Sequence, residues 1–312
     1  MTVAAITCSP VLHLDASEPT GGVIAETPVH HLHFTDRLFG DTTEQAAQRF
    51  GELAARLPGE IVVTLHDVPP NDESALSIRR RASYRRVASG TTAVVVASEH
   101  ERDRAQACGI TTDITVIPLP VQPLPTPTGS FITSGPTIGV LGFIYPGKGH
   151  EDVLGALACL PPEVSMWALG GVSAGHEDVL ASLERDAVRA RRRLTVTGHL
   201  DEPTLIAALG TIDVPVVPAR APSASASLAT WIGAGRRPVT AGNPYTTEIA
   251  ADAPGLVTMY EPTVPGALAA ALRWALGRAD RTWHDGVIPA RLRADSVARR
   301  HCQLYRNVAG EG

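Results

Sequence analysis

The sequence predicts an α/β protein with parallel sheets. Apolar runs of four to six residues alternate with segments at helical spacing, and strands that alternate with helices pair in parallel. Several runs end in glycine-bearing loops, the ends of parallel strands where ligands gather. A stretch rich in proline, with Gly and Ser, occupies 118–136 and has the composition of a linker. At 312 residues the chain exceeds one typical domain, so two domains are expected. They are an N-terminal Rossmann-like domain (1–120), a linker (121–136), a second Rossmann-like domain (137–280) and a C-terminal helical segment (281–312).

Each element follows from its residues. In the first half, strands are expected at 3–8, 29–34, 61–69, 93–98 and 114–118. Residues 42–57 carry Ala and apolar positions at helical spacing, with Thr42 or Thr43 as cap. Residues 74–89 form the next helix. In the second half, strands are expected at 137–144, 166–171, 194–200, 214–218 and 237–242, with a last segment at 246–249. Helices fill 151–160 and 202–209, one more ends in the arginines of 189–193, and another follows the small-residue loop 221–227 and ends near Gly235. Residues 283–308 read as a terminal helix with Val297, Cys302, Leu304 and Tyr305 among its apolar positions.

Composition narrows the function. Apolar residues are 44% and charged residues 19%, ordinary for a globular protein. Aromatics are 4%, so the core must rest on Ala, Val and Leu. A net charge of −5 argues against a nucleic-acid partner. No apolar run approaches membrane-spanning length and no basic-then-apolar leader is seen, so a cytoplasmic protein is expected. Cys8, Cys108, Cys159 and Cys302 lie far apart without a C-x-x-C and read as reduced, buried thiols.

The stretch Thr137-Ile138-Gly139-Val140-Leu141-Gly142-Phe143-Ile144-Tyr145-Pro146-Gly147-Lys148-Gly149-His150 joins a strand, a glycine loop and a helix start. Free N–H groups and the helix dipole favour an anion there, and Lys148 adds a full charge. The alternative is an ordinary strand–helix turn with a solvated Lys. The stretch is neither G-x-G-x-x-G nor G-x-x-x-x-G-K-[ST], so it predicts neither a dinucleotide site nor a P-loop.

His66 stands at a strand C-terminus, where Rossmann-like domains place chemistry; the alternative is a packing histidine. His31 and His33 share a strand face, but no carboxylate or Cys completes a shell with them, so no metal is expected. Arg79, Arg80, Arg81, Arg85 and Arg86 cover most of one helix's circumference. They read as a solvated helix, or as a peripheral contact with an acidic lipid surface at the inner face of the membrane.

The ordered set of apolar strand, loop ending Lys148-Gly149, strand ending in Pro218, small-residue loop and Arg237-Pro238-Val239 resembles retaining glycosyltransferases of family four with the GT-B fold. The resemblance covers about 137–306, and 60–121 more faintly. It implies two Rossmann-like domains facing across a cleft. It also implies transfer of a sugar from a nucleotide-diphosphate sugar to a hydroxyl acceptor, with no cofactor and no metal. By it, His66, Lys148 and Glu248 are catalytic. Gly142, Gly147, Lys148, Gly198, His199, Ser225, Ser227, Leu228, Thr230 and Glu248 bind the donor. The departures are specific. Phe143 stands where the family has Arg, and the loop 222–231 has no carboxylate where the family has Glu-x₇-Glu. The family's ribose-binding Glu falls on Thr230, or on Trp231 if the gap moves. The alternative is a non-catalytic GT-B-like module that binds a nucleotide or a partner.

Overall fold

A computed structural model of the chain describes residues 27–126, 131–220, 222 and 224–310. The strand expected at 3–8, and Cys8 with it, lie outside the described residues. The chain divides into two compact units, one ending at Pro120 and resuming at Ala290, the other Val121–Pro289.

The first unit holds a parallel sheet of β1 (Val29–Phe34), β2 (Glu60–Leu65), β3 (Ala93–Val96) and β4 (Ile114–Val116), in that spatial order. Helix Thr43–Ala54 is capped by Thr42 and helix Ala75–Ser89 by Ser74, each accepting from a backbone N–H of the first turn. One face of the sheet packs Phe34, Val63, Leu65, Val94 and Val96 against Phe50, Tyr84 and Val87. The other face packs Val62, Ala93, Val95 and Ile117 against Val297 and Leu304 of the terminal helix Ala294–Ala309. Helix Glu99–Ala107 escaped the sequence reading because its only buried members are Glu101 and Ala105, too few for an apolar stripe.

The terminal helix is shorter than the expected 283–308. Pro289 cannot donate within a helix and biases its predecessor away from α. Trp283 is instead the face on which Arg236 lies, 4.2 Å from guanidinium carbon to ring centroid. Arg236 is buried and donates to the carbonyls of Leu209, Asp213 and Thr282.

The second unit is a six-stranded parallel sheet in the order β10-β9-β8-β5-β6-β7. The strands are β5 (Thr137–Leu141), β6 (Ser165–Leu169), β7 (Leu194–Val196), β8 (Val214–Val217), β9 (Val239–Ala241) and β10 (Thr258–Tyr260). From β5 the chain builds outward through β6 and β7, then returns to the other side of β5 with β8. The sheet order therefore reverses between β5 and β8, the place in such sheets where the following loops part and leave a crevice.

Two expectations are corrected. Residues 246–249 lie in a helix, Pro244–Asp252, because Asn243 and Thr246 form a reciprocal capping box and Pro244 presets the first turn. Cys159 is exposed, and only Cys108 is buried among the described cysteines. The five arginines of helix Ala75–Ser89 are not alike either. Arg80 pairs with Asp36 at 2.7 Å, and Arg81 donates to Asn71 and to the Asp72 carbonyl, so neither is free for a lipid surface. No helix among the described residues is long and apolar enough to cross a membrane.

Candidate anion-binding site

The loops after β5 and β8 meet at the reversal point. Gly142, directly after β5, has φ 110°, and a Cβ there would sit 3.1 Å from Lys148 Nζ. Glycine thus leaves the ammonium its seat. Gly149 caps helix His150–Leu157 with φ 89°, and a Cβ there would lie 2.9 Å from the Pro218 side chain beyond β8. Lys148 Nζ donates to Ser227 Oγ at 3.2 Å, and Ser227 Oγ lies 3.1 Å from Ser225 Oγ. This short chain of contacts ties one loop to the other across the crevice.

Lys148 is buried, so the alternative of a solvated lysine at this turn does not hold. Desolvation lowers its pKa to about 8, and no carboxylate among the described residues offsets that. Among the described residues its hydrogen-bond partner is a neutral hydroxyl. A buried cation paired only with neutral groups is costly until an anion arrives. Helix Ala226–Gly233 directs its N-terminus to the same place, with Ser225 as cap. The Leu228 amide is already taken by Ser225 Oγ at 3.1 Å, and the Leu228 side chain lies in the core.

His150, in the sequence only the start of a helix, is buried, and neither ring nitrogen has a partner among the described residues. Burial first, then the Lys148 charge, lowers its pKa to about 4, so it is a neutral neighbour of the ammonium. Its signal in the sequence is its adjacency to Lys148-Gly149, and nothing local separates it from an ordinary helix residue.

In the first unit, His66 follows the last residue of β2. Its N–H donates to the Phe34 carbonyl at 2.8 Å, and its carbonyl accepts from Tyr84 Oη at 2.7 Å. The His66 ring Nε2 lies 2.9 Å from His33 Nδ1. His31 is bound by Thr64 Oγ1 at 2.7 Å and Tyr305 Oη at 2.6 Å. Burial is the main cause that lowers the pKa of all three imidazoles.

No protein-family model and no curated protein sequence matches this chain. Solved structures do. Sucrose-phosphate synthase from Thermosynechococcus elongatus matches with TM-score 0.66 at 18% identity, over 91% of this chain and 74% of that one. HepE of Anabaena, solved with UDP and glucose, gives 0.64 at 16% identity, over 93% and 77%. A UDP-forming trehalose-phosphate synthase from Burkholderia xenovorans gives 0.67 at 14%, over 89% and 72%. The chain has the GT-B fold.

Within that GT-B fold, the remaining expected donor residues take definite places. Trp231 is fully buried, so Thr230 is the one of the two with surface to offer. The Thr230 hydroxyl donates to the Ala226 carbonyl of its own helix at 2.9 Å, leaving its lone pairs open. Gly198 (φ 67°) and exposed His199 follow β7, and Gly147 is an exposed loop residue with φ 83°. Glu248 stands in the second turn of helix Pro244–Asp252, half-buried, and not on a loop. Phe143 is exposed beside Gly142 and offers no charge where the resemblance has Arg.

Proposed function

We propose that the chain is a retaining glycosyltransferase that moves a sugar from a nucleotide-diphosphate sugar to a hydroxyl acceptor. One observation carries the reading. Among the described residues Lys148 is a buried ammonium with no anionic partner, held at the reversal point of a parallel sheet beside a helix N-terminus. A diphosphate supplies the missing charge, and its oxygens match the ammonium, the Ser225 and Ser227 hydroxyls and the amides opening helix Ala226–Gly233. HepE, solved with UDP and with UDP-glucose, supports a nucleotide donor by analogy of fold.

In this scheme Lys148 offsets the charge that grows on the diphosphate as the sugar departs. Protein cations and helix dipoles take that role without a metal. Glu248 bonds sugar hydroxyls, and His66 contacts the substrate. The test is binding of UDP and UDP-glucose by titration calorimetry, with release of UDP measured over a panel of hydroxyl acceptors. Tight UDP binding and acceptor-dependent UDP release support the reading. Binding without release under any acceptor favours the second reading, a nucleotide-binding module. That reading has its own observation: from Pro222 to Trp231, across the loop and into helix Ala226–Gly233, no residue is a carboxylate. The sugar-facing roles have a sharper check. Glu248→Gln should reduce turnover while leaving UDP affinity in place, and equal losses in both would make Glu248 structural.

A further inference from the structure

We propose that His33 is the positioning residue of His66: the hydrogen bond between the rings fixes the orientation of His66 and ties the two imidazoles to one shared protonation pattern. The inference rests on the glycosyltransferase reading only for the role of His66, not for the pairing itself.

The geometry is specific. His33 Nδ1 and His66 Nε2 are 2.9 Å apart, so one proton lies between them. If that proton is on His33 Nδ1, His66 Nε2 is bare and neutral His66 carries its proton on Nδ1. If it is on His66 Nε2, His33 Nδ1 is bare and neutral His33 carries its proton on Nε2. Both rings are then Nδ1–H, or both are Nε2–H; a mixed pair breaks the bond. The outward nitrogen of His66 is a donor in the first state and an acceptor in the second. A proton taken at His66 Nδ1 passes its Nε2–H proton to His33 Nδ1, and His33 Nε2 releases one, so the count balances.

The register explains why these rings meet. β1 and β2 pair in parallel with His33 opposite Thr64, and His66 follows β2 by one residue. The rings of His33 and His66 lie edge to edge and nearly coplanar, with centroids 5.2 Å apart and 14° between planes, as an in-plane hydrogen bond requires. His31 stacks on the other side of His33 at 5.0 Å and 16°. His31 is itself anchored at both nitrogens, by Thr64 from β2 and Tyr305 from the terminal helix. His33 thus sits between a fixed ring and the ring it orients. The titratable groups facing the pair are His31, His301, Tyr305 and Asp67. The other imidazoles oppose a positive charge on His33, while the Asp67 carboxylate favours a proton on His66. An added proton therefore belongs on His66, with His33 as its neutral acceptor.

The experiment uses the full chain with ¹⁵N-labelled histidine. Long-range ¹H–¹⁵N spectra above pH 7 report each tautomer, with His33→Phe and His66→Gln giving the assignments. The expected result is matching tautomers for His33 and His66 in wild type. His33→Phe keeps an aromatic ring against His31 but has no nitrogen for His66, and should change the His66 pattern. His33→Asn, whose amide can reach the place of Nδ1, should restore it. Mixed tautomers in wild type, or an unchanged His66 spectrum in His33→Phe, overturn the proposal. With UDP-glucose as donor, His33→Phe should lower kcat about tenfold or more with KM for UDP-glucose retained, and His33→Asn should recover part of it. Unchanged kcat overturns the positioning role. Absence of any turnover in wild type sinks the glycosyltransferase reading and with it the catalytic use of the pair, while the spectra still decide the pairing.

Discussion

At the scale of single residues, Lys148 concentrates the conflict between stability and binding. Its pKa falls from 10.5 to about 8 in the folded chain. Below pH 8 the folded state therefore carries a desolvation cost of about 3 kcal/mol, relieved as pH rises between the two values. Lys148→Met should raise the unfolding free energy of the unliganded protein at pH 7, measured by urea titration, by up to that amount. The same variant should lose most UDP affinity, since a charge-assisted contact contributes about 1.5–3 kcal/mol. Wild-type UDP affinity should fall as pH climbs through about 8 while Lys148 discharges, and the variant should lack that dependence. A variant no more stable than wild type would show that the ammonium is better solvated than its burial indicates. Thr230 offers a second check. A Thr230→Glu variant should tighten UDP binding by calorimetry if the ribose lies at this helix, and abolished binding would place it elsewhere.

At the scale of elements, two joints decide whether the sites form. The helix His150–Leu157 meets the end of β8 through Gly149 and Pro218. Gly149→Ala combines a positive φ with a backbone-proximal clash, and should cost about 1–3 kcal/mol in chemical denaturation. The second joint is the terminal helix on the first sheet. His301 of that helix is buried, and burial lowers its pKa to about 4. Neutral in the fold and protonated when unfolded, it contributes stability that is whole above pH 6.5 and lost as pH falls toward 4. At pH 5 the loss from this one group is about 2 kcal/mol. His301→Leu should flatten the fall of urea midpoint between pH 6.5 and 4 by about one proton's worth. An unchanged slope would mean that His301 keeps contact with water.

At the scale of the whole molecule, the two ends of the described chain belong to one unit. Val297 and Leu304 complete the core formed by Val62, Ala93, Val95 and Ile117. Each such side chain contributes about 1.5–3 kcal/mol on full burial. A chain ending at Pro289 should therefore lose most amide-exchange protection in β2 and β3. Strands β5 and β8, whose core does not include the terminal helix, should keep theirs. Equal loss in both sheets would show that the two units do not unfold separately.

What the sequence determined by itself is whatever local pattern encodes. Short apolar runs between helical segments specify parallel sheets. Gly-bearing turns before helices point to candidate anion sites, and Thr42 and Ser74 mark helix starts. Lys148, Ser225 and Ser227 could be named from such signals, and they are joined by contacts of 3.2 and 3.1 Å. What only the tertiary structure decided depends on partners far along the chain. Lys148 is buried and bonded to Ser227, 79 residues away along the chain. Residues 246–249 became helix because a capping box outweighed their β-branched threonines. His31, His33, His66 and His301 form one column because parallel register and the terminal helix bring together positions up to 270 residues apart, 31 to 301. Hydrophobic period acts over a few residues, whereas desolvation and ring pairing depend on what packs from elsewhere, and no window of sequence carries that.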